Sequence, residues 1–230
     1  MPVSRAQCRF TNRLLGQLIL VRRHSMSGHD LPVVRYKSNE AAATAELLSI
    51  RQDLLLTEQM CERLLDLLRA PSSDPILIEA LWSAALVRYS RSFTTGKRQT
   101  LDPSLVADLP GDPMSAHVYY KNQRDKFIAH SVNPFEQSVV GLVLSPPDSE
   151  TRQVIGVADL VLRQISADEH DVRQLGALAN EMRKQVELQI DDGKKKVLAA
   201  AKRERMDDLY RLEPMELAPP GAEMAGQARK

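Results

Sequence analysis

Apolar residues recur at three- and four-residue steps through most of this chain and change to a strand-like pattern in one short stretch. From Asn39 to Ala70, Leu47, Leu54, Met60 or Cys61, Leu64, Leu65 and Leu68 fall on one stripe without an intervening Gly or Pro, which predicts a long amphipathic helix. Ser38 or Asn39 can cap its start, and Pro71 follows its end. A second helix is expected from Asp74 as N-cap, with Pro75 in its first turn, through Ile76, Leu77, Ala80, Leu81, Ala84, Leu86 and Val87 to about Phe93. TTGKRQTLDP then reads as a loop broken by Gly96. Asp102-Pro103 begins one short turn, which Pro110-Gly111 ends. Asp112-Pro113 opens the next helix, MSAHVYYKNQRDKFIAH, and Asn133-Pro134 closes it within a few residues of His130.

After that helix the period changes. Ser138–Ser145 is β-branched and apolar, PPDSE turns, and TRQVIGVADLVL supplies a second run, so a hairpin is expected with strands near 138–144 and 152–159. The alternative is that Val157–Ile165 begins the following helix. Ser166 is the expected cap of the last helix, whose stripe is Val172, Leu175, Leu178, Ala179, Met182, Val186 and Ile190. Gly193 weakens that helix without ending it, and the helix is drawn to about Leu212. The remaining EPMELAPPGAEMAGQARK has no period. Four major helices with short connections predict a mainly α chain, an up-and-down helical bundle with a β-hairpin insertion at about 138–160. The organisation expected is a basic, poorly ordered extension over 1–38, the bundle over 39–212 and a disordered tail over 213–230.

Composition agrees with helices: aromatic residues make up only 4 % of the 230, while Leu and Ala are abundant. The net charge of +1 conceals an asymmetry. Residues 1–38 hold seven basic side chains against the single acid Asp30, so the remainder is slightly acidic. Any nucleic-acid contact must therefore come from a local patch. The Arg-rich first 25 residues resemble an organelle presequence superficially, and Met26 offers a second start; they are left out of the fold reading. Cys8 and Cys61 suit neither a disulfide framework nor a zinc site. No apolar run is long enough to span a membrane, and the expected compartment is the cytoplasm.

The string RDKFIAH, Arg124 to His130, combines a permanent cation with a side chain that exchanges protons near neutral pH. Arg124, the polar Asp125, four further residues and then His130 resemble the R-polar-x4-6-H signature of HEPN domains, in the flavour of their abortive-infection and toxin branch. That resemblance covers about residues 40–135 and the final helix; the hairpin departs from the simplest family plan. It implies a homodimer in which two Arg124 and two His130 form one composite site, with Asp125 orienting His130 or Arg124. The activity implied is metal-independent RNA cleavage through attack of a 2′-OH on the adjacent phosphate, and an antitoxin or other partner protein. No cofactor and no metal are expected: His-x-x-x-His, paired Cys, Asp-x-Asp, P-loop and G-x-G-x-x-G patterns are all missing.

Geometry bears on the motif. Six residues of ideal α-helix leave Arg124 and His130 about 120° apart, so they do not share one stripe. Either the helix ends first and the chain turns His130 back, or the two meet a second copy. His117, Tyr120 or Lys121, and Arg124 share a helical face, while Arg91 and Arg98 could flank the site from the end of the second helix and its loop. His117, Lys121, Arg91 and Arg98 are thus the candidate substrate-binding residues. Each has an ordinary reading: His117 as a core or surface histidine, Arg88 and Arg91 as ion-pair partners, Lys194–Lys196 and Lys202–Arg205 as a solvated face. The rival to a nuclease is a non-catalytic module that dimerises or binds a partner through the hairpin and the last helix.

Overall fold

The computed structural model describes residues 31–94, 99–128, 136–163, 167–215, 222–224 and 226, apart from the side chains of Phe127, Arg163 and Ala222. Helix α1 (Asn39–Arg69) begins where Ser38 Oγ accepts from the Ala41 N–H at 3.1 Å. It stops at Ala70, which is extended ahead of Pro71. The Asp74 carboxylate caps α2 (Pro75–Arg91) by accepting from Ile76 and Leu77 N–H, and the helix ends at Arg91, two residues short of Phe93. A short α3 (Ser104–Ala107) follows. Asp112 caps α4 (Pro113–Asn122) through Ser115 N–H at 3.2 Å.

Two expectations for the last helix are corrected. It is Asp168, not Ser166, that caps α5 (Glu169–Ala201), accepting from Asp171 N–H at 2.8 Å; Ser166 lies outside the described residues. An acid at this position also meets the positive end of the helix dipole, which a serine would not. Nor does the helix reach Leu212, because it stops at Ala201 and a separate α6 (Met206–Tyr210) follows.

The core is made by the stripes that the sequence displays. Leu47, Ile50, Leu54, Cys61 and Leu64 of α1 meet Val172, Leu175, Leu178, Ala179, Met182, Val186 and Ile190 of α5, and α2 adds Trp82, Ala85, Leu86 and Tyr89. Helices α1 and α5 run antiparallel, and each close approach uses a glycine. A Cβ on Gly176 would lie 3.2 Å from Cys61 Cβ, and one on Gly193 would fall within 2.4 Å of Thr44 Oγ1. Both contacts obey one register, since Thr44 and Cys61 are separated by the same stretch of helix as Gly176 and Gly193. Burial of the Cys61 thiol between them pushes its pKa up to about 12, with Glu58 and Glu62 adding to the effect. It is an inert packing group.

Strands β1 (Glu136–Leu144) and β2 (Val154–Arg163) pair antiparallel, with Val139 opposite Leu160, Gly141 opposite Ala158 and a register shift at Val143/Leu144. The second strand runs to Arg163, so Val157 does not open the last helix. Among the described side chains of the hairpin, none is buried.

The described bundle and hairpin belong to one unit, Tyr36–Glu204; the second unit comprises Met1–Arg35 and Arg205–Lys230. Within the second, Arg35 N–H donates to Glu213 O at 2.8 Å and Met215 N–H to Val33 O at 2.9 Å, so both segments expected to lack order contain paired backbone. Residues 1–30 lie outside the described set. No helix among the described residues is long and apolar enough to cross a membrane.

Candidate functional site

The motif helix is not α-helical through Arg124. Beyond Asn122 the chain continues as a π-helical segment, Gln123–Ile128, which carries both Arg124 and Asp125. Wider π turns advance less than 100° per residue, so the 120° separation expected on an α-helix does not apply to this stretch. Such segments are rare and concentrate at functional sites, because an extra residue per turn re-aims the side chains that follow it.

Arg124 Nη1 donates to Asp125 Oδ1 at 2.7 Å, and both side chains stay accessible, at 31 % and 46 % exposed. A charge-assisted bond between neighbours holds the guanidinium in one orientation while leaving its other N–H groups to bind. Of the two roles offered for Asp125, the bond observed is the one to Arg124. His130 and Arg98 lie outside the described residues. Lys121, one turn before Arg124, is half-buried.

A polar chain fixes the start of the π segment. Trp82 Nε1–H donates to Gln123 Oε1 at 3.2 Å, Gln123 Nε2–H donates to Tyr119 OH at 2.5 Å, and Tyr119 OH donates to Asp171 Oδ2 at 3.0 Å. Beside it, Tyr120 OH reaches Asp171 O and Gln174 Oε1, both at 2.9 Å. Burial pushes the Asp171 carboxyl up, against the lowering effect of its bond from Tyr119. Burial also drives the Tyr120 phenol well above its ordinary range, so it remains a donor. Helices α2, α4 and α5 are thereby tied together just where α turns become π turns. Of these residues only Tyr120 stood out in the sequence, as a face-mate of His117 and Arg124; for the rest the one signal was the pair Tyr119-Tyr120 beside Gln123 in a chain poor in aromatics.

His117 is a core residue at 2 % exposure, packed edge-on against Phe93 with ring centres 4.5 Å apart. Its Nδ1 lies 2.9 Å from Tyr89 OH. Burial raises the Tyr89 pKa far above the usual range, so the phenol keeps its proton, and the tautomer of the imidazole sets which of the two groups donates. Burial lowers the His117 pKa to about 4, with Lys121 contributing through its charge. The face shared by His117 and Tyr120 is therefore the core face of α4, not a wall of an open cleft.

Arg91 and Arg88 converge on α1. Arg88 Nη1 lies 2.8 Å from Asp53 Oδ1 and Arg91 Nε 3.6 Å from Oδ2, around a carboxylate only 5 % exposed. Both cations of this end of α2 thus share one carboxylate of the bundle, Arg88 more closely than Arg91. Lys194 and Lys196 are similarly matched by Asp191 and Asp192 on α5. Among the described residues no cluster of three or more His, Cys, Asp and Glu side chains is placed to hold a metal ion.

The described part of the candidate site is thus an oriented, accessible guanidinium on a π turn, braced by three helices. Compared with models of protein families, with curated proteins and with solved structures, the chain finds no match.

Proposed function

We propose that the chain is a metal-independent endoribonuclease of HEPN type that works as a homodimer, in the manner of a toxin or anti-phage effector. The observation that carries this reading is Arg124, aimed by Asp125 at 2.7 Å from a braced π turn, six residues before His130. In the two-copy site, one His130 takes the proton of the ribose 2′-OH as its oxygen attacks the adjacent phosphorus. The P–O5′ bond breaks, the other His130 protonates the departing oxygen, and a 2′,3′-cyclic phosphate and a 5′-OH result. The two Arg124 guanidiniums stabilise the additional negative charge of the phosphorane. Lys121 and Arg98 serve flanking phosphates. Arg91, already shared with Asp53, contributes less, and His117 supports the helix rather than touching RNA.

The test is cleavage of RNA in EDTA by the purified chain beside Arg124→Ala and His130→Ala. Wild type is expected to cut and each variant to lose about 100-fold or more, the scale of a missing acid–base or oxyanion group. Equal cutting by all three, or an absolute need for a divalent ion, rejects the assignment. A second reading, a non-catalytic module for dimerisation or partner binding, is favoured by one observation: the hairpin presents large apolar side chains to solvent.

A further inference from the structure

A two-stranded hairpin is at best marginally stable alone in water, and usually one of its faces is buried on a core. Here neither is. Val139, Val140, Leu142, Val143, Val157, Leu160, Val161 and Leu162 are all between 38 % and 73 % exposed. Each strand of 9 or 10 residues is about 30 Å long and the pair about 10 Å wide, so each face spans on the order of 300 Å². Each face by itself is comparable with the largest contiguous apolar patch of a typical monomer, about 300–600 Å².

The register sorts these residues into unlike faces. One bears Asp159 beside Val140, with the Glu136–Arg163 pair at its end. The other carries no charge: its rows are Gln137–Leu162, Val139–Leu160, Gly141–Ala158 and Val143–Gly156. The uncharged face also has relief. The Val139–Leu160 row stands as a ridge, and the adjacent Gly141–Ala158 row is a hollow. Nothing within 4 Å would meet a Cβ on Gly141, so packing inside the chain gives no reason for that hollow.

We propose that this uncharged face packs against the same face of a second copy of the chain, each Val139–Leu160 ridge seated in its mate's Gly141–Ala158 hollow. A twofold axis between those two rows brings every ridge over a hollow, and an isologous contact needs only such self-complementarity. The opposite face is less suited to the same contact, because packing it would take the Asp159 carboxylate out of water with no cation in its own or the adjacent rows to pair with it. Insertion into a lipid bilayer is disfavoured too: both strands are open edges, whose N–H and C=O groups hydrocarbon would leave unpaired. At about 300 Å² per copy the contact is below the ~800 Å² per partner of a standard interface, so it forms a concentration-dependent dimer rather than an obligate one. The contact does not depend on the nuclease reading; it deepens that reading by supplying a surface for the two-copy site, whose His130 lies six residues before β1.

Sedimentation velocity on the full chain from about 1 to about 100 µM, concentrations that reveal a micromolar dimer, tests it. Wild type should pass from monomer to dimer. Leu160→Lys, on the ridge, and Gly141→Leu, which fills the hollow and whose Cβ would meet nothing within 4 Å, should stay monomeric with unchanged helical circular dichroism. Val140→Lys, on the opposite face, should dimerise like wild type. A wild type that is monomeric throughout, or that associates only with a foreign protein, overturns the proposal. So does a dimer that survives Leu160→Lys and Gly141→Leu, or one that Val140→Lys also abolishes. An RNA-cutting monomer of Leu160→Lys would leave this contact standing and remove the two-copy site instead.

Discussion

Single residues show how environment, not identity, sets chemistry in this chain. His117 and His130 have the same side chain, yet burial, with the charge of Lys121 adding to it, holds His117 neutral, with a pKa near 4 against an ordinary 6.5. An unfolded chain takes up that proton at higher pH than the folded one, so between about 6.5 and about 4 the unfolded state binds more protons and stability falls as pH falls. His117→Gln, having nothing to titrate there, is expected to be less stable than wild type at pH 7 but to lose less on acidification. Thermal unfolding of both proteins at pH 7, 5.5 and 4.5 gives the two slopes, and parallel slopes would show that His117 does not contribute. The sequence alone shows His117 on a face with Tyr120 and Arg124. It cannot show that the face turns inward at its start and outward at its end, because that depends on where Tyr89 and Phe93 of another helix come to lie.

Among the elements, α1 and α5 carry the bundle through their apolar stripes, and two glycines of α5 set how closely they approach. Gly193 lies mid-helix, where Ala is favoured by roughly 1 kcal/mol on intrinsic grounds. A Cβ there would meet Thr44 Oγ1, which is already bonded to Glu40 O at 2.7 Å and cannot turn aside without losing that bond. Gly193→Ala is therefore expected to destabilise by about 1–2 kcal/mol in urea denaturation, as overpacking does, and Thr44→Ala in the same chain should recover most of it. A stabilised Gly193→Ala protein would mean that the helices separate freely at this point. From the sequence this glycine reads only as a local weakness. The helix stripes and the caps Ser38, Asp74 and Asp112 were legible because they act within a few residues. The change to π turns at Gln123 was not, since it is held by Trp82, Tyr119 and Asp171 from three separate helices.

For the molecule as a whole, the hairpin is an addition to a core that is complete without it. None of the buried hydrophobic side chains comes from β1 or β2. Because Gln137 is paired with Leu162, residues 138–161 can be cut out and the ends joined by a two-residue Asn-Gly turn. The shortened chain should keep its helical circular dichroism and melt within a few degrees of the full one, as expected for a change outside the core. Loss of cooperative melting would show that the strands support the bundle after all.

What the sequence determined by itself is local: helices where apolar residues repeat at helical spacing, their starts where a short acid or hydroxyl precedes Pro or polar residues, a hairpin where β-branched runs flank PPDSE, and a motif that resembles a known family. The tertiary structure decided which faces turn inward. It buried His117, joined Arg88 and Arg91 to Asp53, set Arg124 on a π turn with Asp125, and left both sides of the hairpin in solvent. The physical reason is range. Backbone periodicity and capping act over three or four residues, whereas burial and ion pairing depend on groups 28 to 52 residues away in the chain, as in Tyr89–His117, Asp53–Arg88 and Tyr119–Asp171.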